Sequence, residues 1–135
     1  MDIKFAGAIA AAGMKAQSAR MRVAAENLAN AQSTALVPGG DPFRRKTITF
    51  QNELDRALGV ERVEVKRYGR DMGEFILKYE PGHPAADANG NVKYPNINPL
   101  IELMDMREAQ RSFEANLNAM QTARTMSQQL IEILR

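Results

Sequence analysis

The sequence predicts a mainly α fold in which two long terminal helices pair in a coiled-coil-like core domain around a small β-rich middle insert. Three observations carry that expectation. Residues 3–29 are rich in alanine and repeat small or apolar side chains at helical spacing. From Pro99 onward no glycine or proline interrupts a 3-4 ladder of mainly apolar positions. Between them lie short alternating runs broken by glycine and proline. The expected division is 1–30 as an N-terminal core helix, 31–96 as loop and β-rich segment, and 97–135 as a C-terminal core helix packing against 1–30. A chain of 135 residues fits one domain with a modest core.

In the first helix Phe5, Ile9, Ala12, Ala16, Ala19, Val23 and Asn27 share a face. Most are alanine, so this face favours close backbone approach by another helix. The segment Phe5–Met14 resembles a signal-peptide core only superficially. Its hydrophobicity comes from alanine, Gly7 and Gly13 interrupt it, and Lys15 follows at once. It is expected to stay uncleaved. Asn27 and Asn30 suit the helix end, where amide side chains satisfy terminal carbonyls. Pro38, Gly39, Gly40 and Pro42 then impose a loop.

Thr47–Phe50 alternates and reads as a strand; Phe50, Leu54, Ala57 and Leu58 suggest a short helix stopped by Gly59. Val63 and Val65, and then Phe75, Leu77 and Tyr79, alternate with polar neighbours and read as half-exposed strands. Pro81–Pro84 is a turn, and Asn89-Gly90 suits a tight hairpin. Asn98 is an N-cap, Pro99 fits the first helical position, and Glu102 sits in the favourable first turn. The ladder runs Leu103, Met106, Gln110, Phe113, Leu117, Met120, Arg124, Ser127, Ile131, Leu134, and seven of these ten are apolar. Fully helical, this segment reaches about 55 Å at ~1.5 Å per residue, longer than the ~30 Å width of a small domain. Its own chain cannot wrap all of it, so the remainder must find other chains or stay frayed.

Composition excludes several classes of function. With no cysteine there is no disulfide or thiolate site, and no run approaches the ~18 apolar residues of a membrane span. Residues 36–95 mix ten basic with nine acidic side chains, which argues against nucleic-acid binding. Arg44-Arg45-Lys46 therefore reads as a solvated strand edge. His83, the only histidine, reads as a turn residue. Glu102, Asp105, Glu108 and Glu114, with Arg107 and Arg111, read as solvent-facing helix pairs rather than an acid–base set. No catalytic, cofactor or metal residue is expected.

The block Asn27-Leu28-Ala29-Asn30-Ala31, followed by Ser33-Thr34, resembles the N-terminal motif of the flagellar rod, hook and hook-junction proteins. Three further matches are more specific. Gly40-Asp41-Pro42-Phe43-Arg44-Arg45-Lys46 resembles the Gly-x-Pro-Tyr-Arg-x-Lys segment of the C-type proximal rod family, FlgC. Tyr94-Pro95-Asn96-Ile97-Asn98 resembles that family's entry to its last helix. Met104-Asp105-Met106 and Phe113-Glu114-Ala115-Asn116 resemble the signature within it. These fall in the family's order and cover most of the chain outside residues 51–75. Phe43 stands where tyrosine is usual, and Asn91 where the family often has tyrosine; both lack the phenol.

The resemblance implies a structural subunit of the bacterial flagellar basal body. Such subunits form part of the proximal rod, or drive shaft, by helical assembly. Implied partners are copies of itself, other rod proteins, the MS-ring/export-gate adapter at the rod base, and the flagellar type III export apparatus. No nucleic acid and no membrane insertion are implied, and the implied location is the periplasmic rod. The expected assembly faces are Ile9, Ala12, Ala16, Ala19, Val23, Asn27 and Asn30 on the first helix. On the last they are Leu103, Met106, Phe113, Asn116, Leu117, Met120, Ile131 and Leu134. Phe43, Arg44, Arg45 and Lys46 are expected to make lateral contacts. The rival from another class is a soluble coiled-coil adaptor or regulatory binding module, which would form a discrete oligomer in solution.

Overall fold

The computed structural model describes residues 3–134, with side chains from Phe5 onward. Helix α1 spans Ile3–Ala29 and helix α2 Pro99–Ile133; between them lie β1 (Lys46–Asp55), β2 (Val60–Arg70), β3 (Ile76–Tyr79) and β4 (Asn91–Tyr94). The protein is thus mainly α, with two long helices packed against each other and a β middle of two separate two-stranded sheets, β1–β2 and β3–β4. Among the described residues no helix is long and apolar enough to cross a membrane.

Local chemistry sets each boundary. Asn30 closes α1 by donating from Nδ2 to the carbonyl of Glu26 at 2.8 Å, and Ser33 Oγ lies 3.1 Å from the Asn30 amide oxygen. Asn98 Oδ1 accepts the Leu100 N–H at 3.0 Å and caps α2 ahead of Pro99. The short helix expected over residues 50–58 is absent. Phe50 and Leu54 instead continue β1, and the chain turns at Asp55. That carboxylate accepts the amides of Ala57 and Leu58 and pairs with Arg62 at 2.7 Å, while the Gly59 amide donates to the Asp55 carbonyl at 2.7 Å. Gly59 has φ +65°, which a side chain would strain. Pairing with β2 outweighs a helical run too short to nucleate.

Strand β4 has no counterpart among the strands expected from the sequence. It pairs antiparallel with β3, from Ile76 opposite Tyr94 to Tyr79 opposite Asn91. Asn89-Gly90 does not form a two-residue hairpin; it ends the long connection 80–90. There Asp87 accepts the amides of Asn89 and Asn91 at 2.8 and 2.9 Å.

The described residues gather into two compact units. One holds residues up to Met21, Ile48–Arg67, and Arg107 onward; the other holds Arg22–Thr47 and Tyr68–Met106. In the first unit α1 and α2 run antiparallel, because Gly13 meets Asn116 and Arg20 pairs with Glu108 at 3.4 Å. The approach is close: a Cβ on Gly13 would stand 2.9 Å from the Asn116 amide. In the second unit Val23, Ala24, Ala85, Val92 and Ile97 form the apolar interior.

The helix faces differ in part from the expected stripes. On α1, Ala16, Ala19, Val23 and Asn27 are buried as a continuous face, but toward the start Ala10 and Gly13 turn inward while Ile9 is 42% exposed. On α2 one column is as expected, with Met106, Phe113, Met120 and Ser127 half-buried. The other is displaced by one residue. Glu102, Ala109 and Ala123 are buried and Asn116 half-buried, rather than Leu103, Gln110, Leu117 and Arg124 forming the inner column. The displaced column keeps a seven-residue repeat, so the seam has coiled-coil spacing but is filled largely by small and polar side chains. Both helices bury alanine, Ala16 and Ala19 on α1 and Ala109 and Ala123 on α2.

Candidate functional site

A buried polar lock ties the end of α1, the start of β1 and the first turn of α2 together within the second unit. Asn27 is 0% exposed. Its Oδ1 accepts the Lys46 N–H at 2.8 Å, and its Nδ2 donates to the Lys46 carbonyl at 2.9 Å and to Glu102 at 3.2 Å. The amide therefore pairs with both backbone groups of the first β1 residue, as a neighbouring strand would. Glu102 is 2% exposed, and its other oxygen accepts from Arg45 Nε at 2.6 Å. A buried carboxylate is tolerable only with such partners. Lys46 Nζ completes the cluster on Glu26, next to Asn27 in the chain. This corrects two expectations: Glu102 is no solvent-facing helix charge, and Arg45 and Lys46 are no free strand edge.

Around the lock, Arg44 stacks over the Phe75 ring at 4.2 Å and reaches the carbonyls of Asp71 and Gly73. Lys93 donates to Asp41 at 2.9 Å, and this bond, the largest influence, holds the Asp41 carboxyl below its ordinary range; burial opposes it, and the charges of Lys93 and then Arg44 add smaller lowering effects. The Tyr94 phenol donates to Glu80 at 3.0 Å, which raises its pKa. His83 Nδ1 accepts the Ala85 amide at 3.1 Å within its turn.

The remaining expected interface residues fall into three groups. Ala16, Ala19 and Val23 are buried inside the chain, like Asn27. Ala12, Asn30, Phe43, Met106, Phe113, Asn116, Leu117 and Met120 are half-buried. Ile9, Leu103, Ile131 and Leu134 are exposed, with Leu103 at 38% and Leu134 at 86%. Further exposed apolar residues surround the last group: Leu100, Ile101 and Met104 at the start of α2, and Met126, Leu130 and Ile133 at its end. Residues overlooked in the sequence are Gly13, Ala109 and Ala123 of the seam. Only the seven-residue repeat with Glu102 and Asn116 marked Ala109 and Ala123, and Gly13, on α1, carried no such mark.

Kinship decides what such a lock and such an open apolar surface belong to. A family profile described as "Flagellar basal body rod FlgEFG protein C-terminal" matches residues 88–133, which cover β4 and α2. The chain is 53% identical over 130 residues to the flagellar basal-body rod protein FlgC of Agrobacterium fabrum, spanning 96% of this chain and 94% of that one. The FlgC family claims the chain. It is also 40% identical to FlgC of Salmonella typhimurium over 87% of each chain, and 33% identical to FlgC of Bacillus subtilis over 93% of each. The likeness to the Agrobacterium protein thus extends over nearly the whole chain.

Proposed function

We propose that the chain is a structural subunit of the flagellar basal-body rod, placed in the proximal part of the drive shaft and acting by packing rather than by chemistry. The carrying observation is kinship to FlgC rod proteins across nearly the whole chain. The exposed apolar ends of α2 support the same reading, since surfaces of that kind mark contact sites. Neighbouring copies and other rod proteins cover these ends. Contacts made head to tail do not close on themselves and generate a helical tube. Close-packed seams then carry torque, because protein interiors are as dense as organic crystals. The chain reaches the periplasm through the flagellar type III export apparatus with its N-terminus intact, and the MS-ring/export-gate adapter is its neighbour at the rod base. The adaptor reading has no comparable support.

The test is loss and recovery of the rod. Cells lacking this chain are expected to be non-motile and to yield no complete basal bodies, and the intact chain restores both. Mass spectrometry of purified basal bodies should find the chain with its first helix uncut. Motile cells without the chain would overturn the structural role, and a mature chain beginning after Ala12 would overturn the export route.

A further inference from the structure

The second unit carries a groove of about 380 Å³ that the lock does not fill. Val23 and Tyr68 give it an apolar floor and wall, Arg22 and Arg70 stand at its rim, and the Lys46–Glu26 pair closes one side. Tyr68 is 56% exposed although it lines the groove. Arg22 and Arg70 are exposed, and among the described residues neither has an ion-pair partner. Two guanidinium groups beside an apolar floor fit a carboxylate flanked by aliphatic side chains, because arginine binds carboxylates through paired N–H groups.

The end of α2 has the complementary chemistry. Between Arg124 and Arg135 the only charged residue is Glu132. It is exposed, with no ion-pair partner among the described residues, and Leu130, Ile131, Ile133 and Leu134 around it are exposed too. In the first unit the antiparallel register brings Ile3 level with Met126, so these last turns run past the start of α1 as described. They also continue the seam: Leu130 follows Ala123, and Leu134 follows Ser127, at the same seven-residue step.

We propose that the groove beside Arg22 and Arg70 receives the end of α2 from a second copy of this chain, with Glu132 held between the two arginines and its aliphatic neighbours against Val23 and Tyr68. Donor and acceptor surfaces are different patches, so the contact is heterologous and each copy both gives a tail and takes one. The arginine–carboxylate pairing fixes which way the tail enters, and the apolar contacts hold it. The inference rests on the rod reading for its setting but not for its test.

Arg22→Lys keeps the charge and places an amine in the groove that carbodiimide can join to a carboxylate. Isotope-labelled and unlabelled full-length chains carrying this change are mixed at high concentration, cross-linked and mapped. The expected product joins position 22 to Glu132 between differently labelled chains, at least tenfold above the Lys15–Glu132 product. Linkage no greater than at Lys15, or only within one label, overturns the proposal. In cells, Glu132→Arg is expected to lower motility at least tenfold, and Arg22→Glu with Arg70→Glu to recover part of it; no recovery also counts against the contact. Presence of the unaltered chain in basal bodies reports on the rod reading separately, since the cross-link needs no flagellum. All three charged positions are exposed, and matching circular dichroism spectra verify that the variants fold.

Discussion

At Asn27 one side-chain amide does the work of a strand edge, pairing with the N–H and the carbonyl of Lys46 and still reaching Glu102. Removing it orphans backbone groups that water reaches poorly, and each buried orphan costs about 1–3 kcal/mol. Asn27→Ala is expected to destabilise the full chain by roughly 2–4 kcal/mol in urea unfolding, whereas Asn30→Ala, at a half-exposed helix end, should cost less than about 1 kcal/mol. Equal losses would show that the lock is not special. The exposed Asp41–Lys93 pair has a pH signature instead. Because the folded carboxyl titrates below its ordinary value of 3.8, its contribution is present above that pH and is lost as pH falls through the lowered pKa. Lys93→Met should move the Asp41 titration, followed by carbon NMR, back up; an unmoved curve would mean Lys93 does not set it.

At the scale of elements, the α1–α2 seam depends on what is missing from its side chains. Gly13→Ala gains about 1 kcal/mol of helix propensity but drives a methyl group into the Asn116 amide, which is itself bonded to the Ser112 carbonyl at 2.9 Å. The two effects nearly cancel, so this change should be close to neutral. In an Asn116→Ala background the clash is gone, and Gly13→Ala should stabilise by about 1 kcal/mol. Gly13→Leu has no such escape and should cost about 2–3 kcal/mol by forcing the helices apart. Thermal melts of the four variants check the set. The same seam explains how far the sequence could be read. Helix lengths, caps and the Met106–Phe113–Met120 column follow from periodicity and end chemistry, which are local. The Glu102–Ala109–Asn116–Ala123 column does not, because a search for large apolar residues passes over alanine and rejects a glutamate. Glu102 becomes a core residue only when Asn27 and Arg45 arrive from distant parts of the chain. Strand β4 was hidden for a similar reason: its four residues have little pattern until Ile76–Tyr79 pairs with them.

At the scale of the molecule, a rod subunit must be stable enough to fold yet leave surface for its neighbours. Leu130→Ser with Ile133→Ser is expected to leave the melting temperature of the isolated chain unchanged within error, because both positions are already exposed, while abolishing recovery of rods. Amide exchange in the isolated chain should be fast from Thr125 to Leu134 and slower from Glu102 to Ala123, where α1 lies alongside. Uniform protection along α2 would mean that its end is covered by something other than assembly. The lock adds a consequence for dimensional accuracy. Small side chains offer few steric marks, so two alanine-rich faces slide past each other with little resistance in steps of one heptad, about 10 Å of helix. Glu102 is the only member of its column that can answer Arg45; one step along stands Ala109, and two steps along an uncharged Asn116. A slipped hairpin therefore leaves Arg45 and Asn27 facing the wrong groups. The pair acts as an index pin, allowing the end of α1 only one seat against the first turn of α2.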